Sequence, residues 1–324
     1  MTAMMKAGVA TSDGIELREV AKPVPTAEQV LVRVAAAGMN RADLAAAKGL
    51  YGGKESLGKP IGFEWAGEVV EIGSAVTGFE YGDLVMASGS GGYAEYAVSD
   101  HARTIKIGDL DVVKAAGLPL VLLTAYDAVV INGRLAAGES ILVQGASSAV
   151  GLMAMQIARS IGAAAIIGTS SNDLRRQRLA EFGATVALDT KTEGWAEQVL
   201  AATGGKGVDL VVDMVSGATV NQAMHAAAVK GRIVNVGRLG GATAVFDFNL
   251  HALKRIEYIG VTFRTRSIDE IRDIARRTHD ALWEPLRAGR LSLPLDRTFR
   301  LAEAKEALDY MGSDTHFGKI VLIP

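Results

Sequence analysis

The sequence predicts an α/β protein that combines a β-rich part with a doubly wound parallel sheet. Over residues 1–120, short strand-like runs such as Gln29–Ala35 and Trp65–Ile72 lie between frequent glycines and prolines, a pattern typical of an antiparallel barrel. From Glu139 onward, apolar strand-like runs alternate strictly with helix-like runs, which favours a parallel sheet with helices on both faces. The segment Leu293–Pro324 then returns to the β-rich pattern.

The elements of the parallel sheet follow one another along the chain. Its predicted strands are Ile141–Gln144, Ala164–Thr169, Thr185–Leu188, Val208–Met214, Arg232–Val236 and Glu257–Phe263. Its predicted helices cover residues 150–161, 172–182, 193–203, 217–229 and 268–288. The tail contains a predicted helix over 301–311 and a predicted strand over Lys319–Ile323. We therefore assign residues 1–120 and 290–324 to the β-rich domain and residues 121–289 to the parallel-sheet domain.

Composition excludes several classes of protein and site. The 324 residues are 49% hydrophobic and 22% charged, with a net charge of -2, so nothing indicates a nucleic-acid surface. There is no cysteine, which excludes disulfides, thiolate metal ligands and cysteine nucleophiles. The first residues lack a signal-peptide core and no apolar run reaches membrane-spanning length. We expect a cytoplasmic protein without a membrane partner.

The chain is organised around one strand, turn and helix. Ile141–Val143 is an uninterrupted apolar run, and small residues from Gly145 to Ser148 form a turn after it. Apolar residues then recur at helical spacing, and Gly162 is a natural helix stop; the recurring residues are Val150, Ala154, Ile157 and Ile161. This succession resembles the opening of a dinucleotide-binding βαβ unit, in which a helix N-terminus faces a pyrophosphate.

The glycine pattern of that turn is incomplete. The usual G-x-G-x-x-G aligns with Ala146, Ser148 and Gly151, so only the last glycine is present. Gly151 still permits a close approach of helix and strand, and the Ser148 hydroxyl can donate a hydrogen bond to a phosphate. The stretch also resembles the G-x-S-x-G nucleophile elbow of hydrolases, with Ala149 in place of the second glycine. The further βα units argue against a hydrolase, although His316 leaves that alternative open.

Motifs along the whole chain identify a family. They are Ala37–Asp43, Gly49–Tyr51, Gly62–Gly67, Gly91–Tyr96, Leu118–Pro119, Leu123–Tyr126 and Phe317–Lys319. In this order they resemble the zinc-independent quinone oxidoreductases, the zeta-crystallin-like members of the medium-chain dehydrogenase/reductase superfamily. The resemblance implies a GroES-like catalytic domain completed by the tail, and a Rossmann domain that binds NADPH. It also implies hydride transfer to a quinone or to an alkene conjugated to a carbonyl.

The resemblance also implies an active site without metal. Zinc-dependent relatives place a cysteine at the position of Asn40 and a histidine at the position of Phe63. A phenyl ring has no lone pair, and an amide oxygen is a poor zinc ligand. Glu64 remains, but one carboxylate does not make a zinc site. Without a Lewis acid, an acceptor that spreads charge onto a conjugated carbonyl is favoured over an unactivated ketone.

Three residues are candidates for the chemistry. The resemblance places Asn40 near the nicotinamide, Tyr51 in the substrate cleft, and Thr124 where it holds the nicotinamide or the acceptor oxygen. From the residues alone, a turn role is favoured for Asn40, and Thr124 can be a helix hydroxyl bonded to its own backbone. A phenol such as Tyr51 can hydrogen-bond an oxyanion or supply a proton, and water can supply the proton equally well.

The cofactor residues are expected on turns at strand ends. They are Ala146, Ser147, Ser148, Val150, Gly151, Thr169, Ser170, Ser171, Arg175, Gly237, Arg238, Phe263 and Lys319. Gly237 and Arg238 follow one strand, while Arg264 and Arg266 follow the next and are expected to be solvated.

The second strand predicts a preference for NADPH. Gly168–Ser171 is neutral where an NAD-binding domain places an acid on the ribose 2′-hydroxyl. The resemblance places Arg175 where the family carries a phosphate-binding lysine. Asp173 and Asp189 weaken the prediction, because a carboxylate repels the 2′-phosphate.

Two alternatives for the function remain open. One is an enoyl-thioester reductase of the same superfamily, and the other is a non-catalytic NADPH-binding protein. Whichever holds, Glu257–Phe263 is expected at a sheet edge, where unpaired backbone groups invite a partner strand. We therefore expect a homodimer through this strand.

Overall fold

The computed structural model describes residues 3–50 and 57–324, and the chain divides into two compact units. The first unit comprises Met1–Val121, Ala275–Asp280 and Leu293–Pro324. The second unit comprises Leu122–Ile274 and Ala281–Ser292. Both units combine strands and helices, which confirms the predicted α/β class.

The strands alternate with helices from the middle of the chain onward. The strands are β1 Met4–Thr11, β2 Gly14–Ala21, β3 Gln29–Gly38, β4 Glu64–Ile72, β5 Leu84–Ser88, β6 Tyr96–Asp100, β7 Thr104–Lys106, β8 Ser140–Gln144, β9 Ala165–Thr169, β10 Val186–Leu188, β11 Val208–Asp213, β12 Ala227–Asn235, β13 Glu257–Gly260, β14 Leu295–Arg300 and β15 Lys319–Ile323. The α-helices are α1 Arg41–Ala46, α2 Val112–Ala115, α3 Pro119–Tyr126, α4 Ala149–Ile161, α5 Asp173–Gln177, α6 Trp195–Ala202, α7 Val220–Ala226, α8 Phe248–Lys254, α9 Ile268–Arg287 and α10 Ala304–Gly312. A π-helical segment, Asp127–Asn132, follows α3 directly.

The first unit is built on β-sheets, as its glycine and proline punctuation predicts. One sheet runs in the order β14-β15-β3-β4-β5-β7, with β6 also paired to β3, and β1 and β2 form a separate hairpin. All pairs are antiparallel except β14 with β15. Trp65 and Tyr93 are fully buried in its core. Because β15 pairs with both β14 and β3, the tail is part of this sheet, as predicted.

The second unit is a parallel sheet in the order β10-β9-β8-β11-β12-β13. The order moves outward from β8 in both directions, which is the doubly wound arrangement. Helix α4 is buried continuously from Gly151 to Ala158, a wider apolar surface than the predicted stripe. Strand β13 lies at one end of the order, which confirms the predicted edge position.

Several element boundaries differ from the sequence prediction, among them the following three. The helix predicted over 217–229 ends at Ala226, because Ala227 already pairs with Val208 as the start of β12. The strand predicted to reach Phe263 ends at Gly260, and beyond it the Thr262 hydroxyl accepts a hydrogen bond from the Arg264 amide. The helix predicted over 172–182 is divided into α5 and a 3-10 turn over Leu179–Phe182.

Candidate functional site

The first candidate site lies in the first unit, at the start of α1. Asn40 is the N-cap residue of this helix, and its backbone N–H donates to Asp43 Oδ2 at 2.7 Å. The hydroxyl of Tyr93 donates to the same oxygen, also at 2.7 Å. This carboxylate, three residues into the helix, therefore fixes the backbone of Asn40.

Burial makes the Asp43 carboxyl an unusually weak acid. Asp43 is fully buried, and burial raises its pKa to about 7, against the hydrogen bonds from Tyr93 and Asn40 and the charge of Lys319. Burial also raises the pKa of the Tyr93 phenol well above its ordinary value, and the adjacent Asp43 adds to this. Asp43 Oδ1 is buried and has no hydrogen-bond partner in the described part of the chain.

The side chain of Asn40 belongs to a closed ring of hydrogen bonds. Its Nδ2 donates to Glu64 Oε1 at 2.8 Å, and its Oδ1 accepts from Lys319 Nζ at 3.1 Å. Lys319 Nζ completes the ring by donating to the same Glu64 Oε1 at 2.6 Å. The Glu64 and Lys319 side chains are only 0% and 5% exposed, so the ion pair is shielded from water. We call Asn40, Glu64 and Lys319 the amide ring.

Glycines and backbone groups leave room for the amide ring and satisfy its remaining atoms. A Cβ on Gly38 would lie 2.5 Å from Glu64 Oε1, so any side chain there would displace the carboxylate. Leu120 N donates to Glu64 Oε2 at 2.7 Å, and the carbonyl of Met39 accepts from Lys319 Nζ at 2.6 Å. Both carboxylate oxygens and all three ammonium protons are therefore used within the protein.

The hydrogen bonds of Lys319 lie within the first unit. The sequence suggested that Lys319 reaches the cofactor. Because its three protons are taken by Met39, Asn40 and Glu64, the side chain has no donor left for a ligand. Lys319 Nζ contacts the Asn40 side chain, and the contact of Lys319 with the cofactor stays a prediction. Tyr51, predicted to line the same site, lies outside the described residues.

The second candidate site is the turn between β8 and α4 in the second unit. Gly145 has a φ of 74°, a conformation that favours glycine, and its N–H donates to Thr169 Oγ1 at 3.2 Å. Ala146 N donates to the Thr169 carbonyl at 2.8 Å. A Cβ on Gly151 would lie 2.6 Å from the Ala146 Cα, so Gly151 does permit the close approach expected from the sequence.

The N-terminus of α4 fits an anionic group. Ser148 caps the helix by accepting from Gly151 N at 3.1 Å, which leaves its hydroxyl proton available to a ligand. The N–H groups of Ala149 and Val150, in the first turn, have no intrahelical acceptor. Ser147 accepts a hydrogen bond from the Ser170 hydroxyl at 3.1 Å. Small side chains and free donors at a helix start are what a pyrophosphate requires.

The loop after β9 is closed by Arg176. Its guanidinium donates to the Ser170 carbonyl at 3.0 Å and to Asp173 Oδ1 at 2.6 Å. Asp189 Oδ2 lies 3.4 Å from the same guanidinium. Arg176 therefore compensates the negative charge of Asp173 and of Asp189, the two carboxylates that weaken the sequence prediction of NADPH. Thr169 and Ser170 are buried, whereas Ser171 is exposed and Arg175 is half-buried.

The other predicted residues of the second unit are placed as follows. Gly237 has its carbonyl bonded by the Ser216 hydroxyl at 2.8 Å, and a Cβ on it would lie 2.6 Å from the Met214 carbonyl. Arg238 is exposed, and Thr124 lies partly exposed on α3. Phe263 lies beyond the end of β13, with the Arg266 guanidinium 5.1 Å from its ring centre.

Arg266 is a structural residue. The sequence suggested a solvated side chain. Its Nη2 instead donates to Asp127 Oδ2 at 2.8 Å, and the Asp127 side chain is only 1% exposed. Burial of the carboxylate accounts for this pairing, because an ionised group inside the protein requires a partner.

A polar row at three strand ends escaped the sequence analysis. Gln144, Asp213 and Asn235 end β8, β11 and β12 and are neighbours in the register. Burial raises the pKa of Asp213, whose Oδ1 accepts from the N–H groups of Val215 and Ser216. The signal was present, since each of these residues is a polar side chain that ends an apolar strand.

Within residues 3–50 and 57–324, no group of three or more His, Cys, Asp and Glu side chains is arranged to hold a metal ion. In the same ranges, no helix combines the length and apolar character needed to cross a membrane.

Known proteins resemble this chain along its whole length. Residues 26–109 match the family described as alcohol dehydrogenase GroES-like domain, and residues 149–279 match zinc-binding dehydrogenase. Human quinone oxidoreductase is 30% identical over 311 residues, which cover 94% of this chain and 92% of that protein. The solved structure of a quinone oxidoreductase from Pseudomonas syringae pv. tomato is 27% identical, with a TM-score of 0.88 and full coverage of both chains.

A longer protein is similarly close. A phenolphthiocerol/phthiocerol polyketide synthase from Mycobacterium tuberculosis is 30% identical over 311 residues, which cover 96% of this chain. The chain spans only 14% of the length of that synthase.

Proposed function

Because this chain belongs to the zinc-independent quinone oxidoreductase-like family of the medium-chain dehydrogenase/reductase superfamily, we propose that it reduces a quinone or a conjugated enone with NADPH. As a member it is a nicotinamide-dependent oxidoreductase. The proposed reduction of a quinone or an enone rests on the side chains at two positions. Asn40 and Phe63 stand where zinc-dependent relatives hold the metal, and together they offer an amide donor and an apolar ring.

The second unit would hold the cofactor. The turn residues Ala146–Ser148 and the free N–H groups of α4 fit its pyrophosphate, and the loop Thr169–Arg175 fits the 2′-phosphate of NADPH. When bound, the reduced nicotinamide supplies a hydride. Preference for NADPH is supported by the absence of an acidic side chain in the segment Gly168–Ser171 and by Arg176, which offsets Asp173 and Asp189.

The class of hydride acceptor follows from the negative charge that the protein can stabilise. Hydride addition to the β-carbon of an enone, or to a quinone, moves an electron pair onto a carbonyl oxygen. That oxygen needs a hydrogen-bond donor in place of a Lewis acid. Asn40 is the donor that the first unit provides, and the proton that completes the reaction comes from Tyr51 or from water.

The test is oxidation of NADPH with a panel of p-quinones, 2-alkenals and enoyl-CoA thioesters. We expect turnover of quinones or alkenals, unchanged by a zinc chelator, in a protein that contains no stoichiometric zinc by elemental analysis. One zinc per chain together with loss of activity on chelation would contradict the proposal. A flat panel with tight NADPH binding would favour a non-catalytic NADPH-binding protein.

A second candidate is the reduction of an enoyl thioester. The specific observation in its favour is the likeness to the polyketide synthase, which covers almost the whole of this chain. In the same panel, this candidate predicts a kcat/KM for enoyl-CoA thioesters far above that for free alkenals and quinones.

We propose that two copies of the chain associate through β13. This strand lies at the end of the parallel sheet, and Tyr258 on it is 37% exposed beside Phe246, with ring centres 6.0 Å apart. Val261 N donates toward the neighbouring strand β12, to the Asn235 carbonyl. Because backbone N–H groups alternate in direction along a strand, the Gly260 N–H points away from the sheet. Nothing lies within 4 Å of a Cβ added to Gly260, and Gly260→Pro removes this outward donor. Light scattering at micromolar concentration should give a dimer for the wild type and a monomer for the variant, and a monomeric wild type would contradict the proposal.

A further inference from the structure

We infer that the Glu64–Lys319 pair locks the Asn40 amide in one of its two flip states, so that it presents an N–H to the carbonyl oxygen of the hydride acceptor. This inference rests on the proposed function and deepens it. It makes Asn40 the catalytic residue that contacts the acceptor. Glu64 and Lys319 are then positioning residues, which act through Asn40.

The lock follows from the chemistry of the two partners. The two ends of a carboxamide are nearly equal in shape, so only hydrogen-bond partners decide which end carries the oxygen. Lys319 Nζ, 3.1 Å from Oδ1, can only donate, and Glu64 Oε1, 2.8 Å from Nδ2, can only accept. Rotation of the amide by 180° would place NH₂ against an ammonium and oxygen against a carboxylate. The flipped state is therefore excluded.

One amide proton remains after the ring is closed. Nδ2 carries two protons, and Glu64 accepts one of them. No residue within the described ranges 3–50 and 57–324 accepts the second. Asn40 is partly exposed, whereas Glu64 and Lys319 are buried, so the second proton is the donor of the ring that a ligand can reach.

This donor selects the chemical class of the acceptor. A fixed N–H stabilises an oxygen that gains negative charge during hydride addition, as in a quinone or an enone. It forms no hydrogen bond with a substrate group that can only donate. The ammonium at Oδ1 further polarises the amide and strengthens the N–H as a donor, because hydrogen bonds in a chain reinforce one another.

The decisive variant removes the lock without leaving a buried charge. Lys319→Met with Glu64→Gln replaces both members of the ion pair by neutral side chains of similar size, and glutamine can bond either end of the Asn40 amide. We expect the melting temperature to stay close to the wild-type value while kcat for a quinone falls about tenfold or more, toward the hundredfold loss typical of a missing oxyanion donor. The carbonyl stretch of an enone bound with NADP⁺ should lie at lower wavenumber in the wild type than in the double variant.

Asn40→Asp provides a second measurement if the double variant does not fold. It keeps the size and the contact with Lys319, but it removes the amide donor and places a second carboxylate against Glu64 Oε1. We expect kcat to fall at least as far as in Asn40→Ala, roughly 100-fold or more, and the carbonyl shift to disappear.

Unchanged kcat and an unchanged carbonyl stretch in the folded double variant, or wild-type turnover in Asn40→Asp, would overturn the inference. Failure of the proposed function has a different signature, since wild-type protein would then oxidise no NADPH with any acceptor in the panel.

Discussion

The two candidate sites of this molecule are constructed in opposite ways. The amide ring of the first unit depends on buried charge, and the two residues of its ion pair are 255 positions apart in the sequence. The site of the second unit depends on backbone geometry, and its residues from Gly145 to Arg176 lie in one continuous segment of the chain. The amide ring has one N–H to offer, whereas the turn offers several weak donors at a helix start.

The difference predicts how each site responds to substitution. A buried ion pair has low tolerance for the loss of one partner, because the remaining charge is left in a medium that cannot solvate it. A site made of backbone groups has low tolerance for added volume, because close packing and not charge defines it. Substitutions that remove a charge should therefore impair the site of the first unit, and substitutions that add volume should impair the site of the second unit.

The largest expected effect is that of Lys319→Met alone. It leaves Glu64 buried without a counter-charge, which typically costs about 3–5 kcal/mol. The melting temperature should fall by many degrees, and the additional substitution Glu64→Gln should restore most of the loss. If the single and the double variant have the same melting temperature, the charge of the pair does not govern the stability of the first unit.

Gly151→Ala probes volume in the second unit. The added methyl group would lie 2.6 Å from the Ala146 Cα, so helix and turn must separate, at a typical cost of about 1–3 kcal/mol. We expect a lower melting temperature and weaker NADPH binding by fluorescence titration. Gly312→Ala is the matched control, since nothing lies within 4 Å of its added Cβ, and it should leave both quantities unchanged.

Arg175→Ala tests whether the second unit also uses charge. A charge-assisted phosphate contact is worth about 1.5–3 kcal/mol, so the KM for NADPH should rise roughly ten- to a hundredfold while that for NADH changes little. Arg178→Ala is the control, because this arginine pairs with Glu181. Equal weakening toward both cofactors would show that Thr169–Arg175 is not the 2′-phosphate site.

Asp43 adds a pH dependence to the stability of the first unit. Its pKa is raised from 3.8 to about 7, so between these values the folded protein holds a proton that the unfolded chain has released. This contribution to stability is complete below pH 3.8 and is lost as the pH rises through about 7. Asp43→Asn accepts the same bonds from Tyr93 and Asn40 without titrating, so its melting temperature should change less than that of the wild type between about pH 4 and 8. Parallel curves would contradict the shift.

The same contrast explains how much could be predicted from the sequence. The turn at Gly145–Gly151 and the alternation of strands and helices are local patterns, and the structure confirms both. The contact of Lys319 with Glu64 depends on the insertion of β15 beside β3, and no local pattern encodes such a pairing. The contacts of Lys319 with Glu64 and Asn40 were consequently not predictable from the sequence.

Boundaries failed where tertiary pairing overrides local preference. Ala227 continues a helical pattern in the sequence, but pairing with Val208 makes it the first residue of β12. Asp43 had a readable signal, because an acid three residues after Asn40 is the spacing of a helix N-terminal capping box. The partner hydroxyl of Tyr93 had none, since it comes from a position 50 residues away.

The distance along the chain between Glu64 and Lys319 has a consequence during protein synthesis. The ribosome adds about 5–20 residues per second, so the 255 positions between the two residues correspond to roughly 13–50 s. Throughout that interval the nascent first unit carries a carboxylate that must be buried and has no counter-ion. The second unit, whose site is contained in contiguous chain, can fold first. Folding during synthesis is therefore expected to begin in the second unit, and the first unit can bury Glu64 with its counter-ion only after Lys319 has been added.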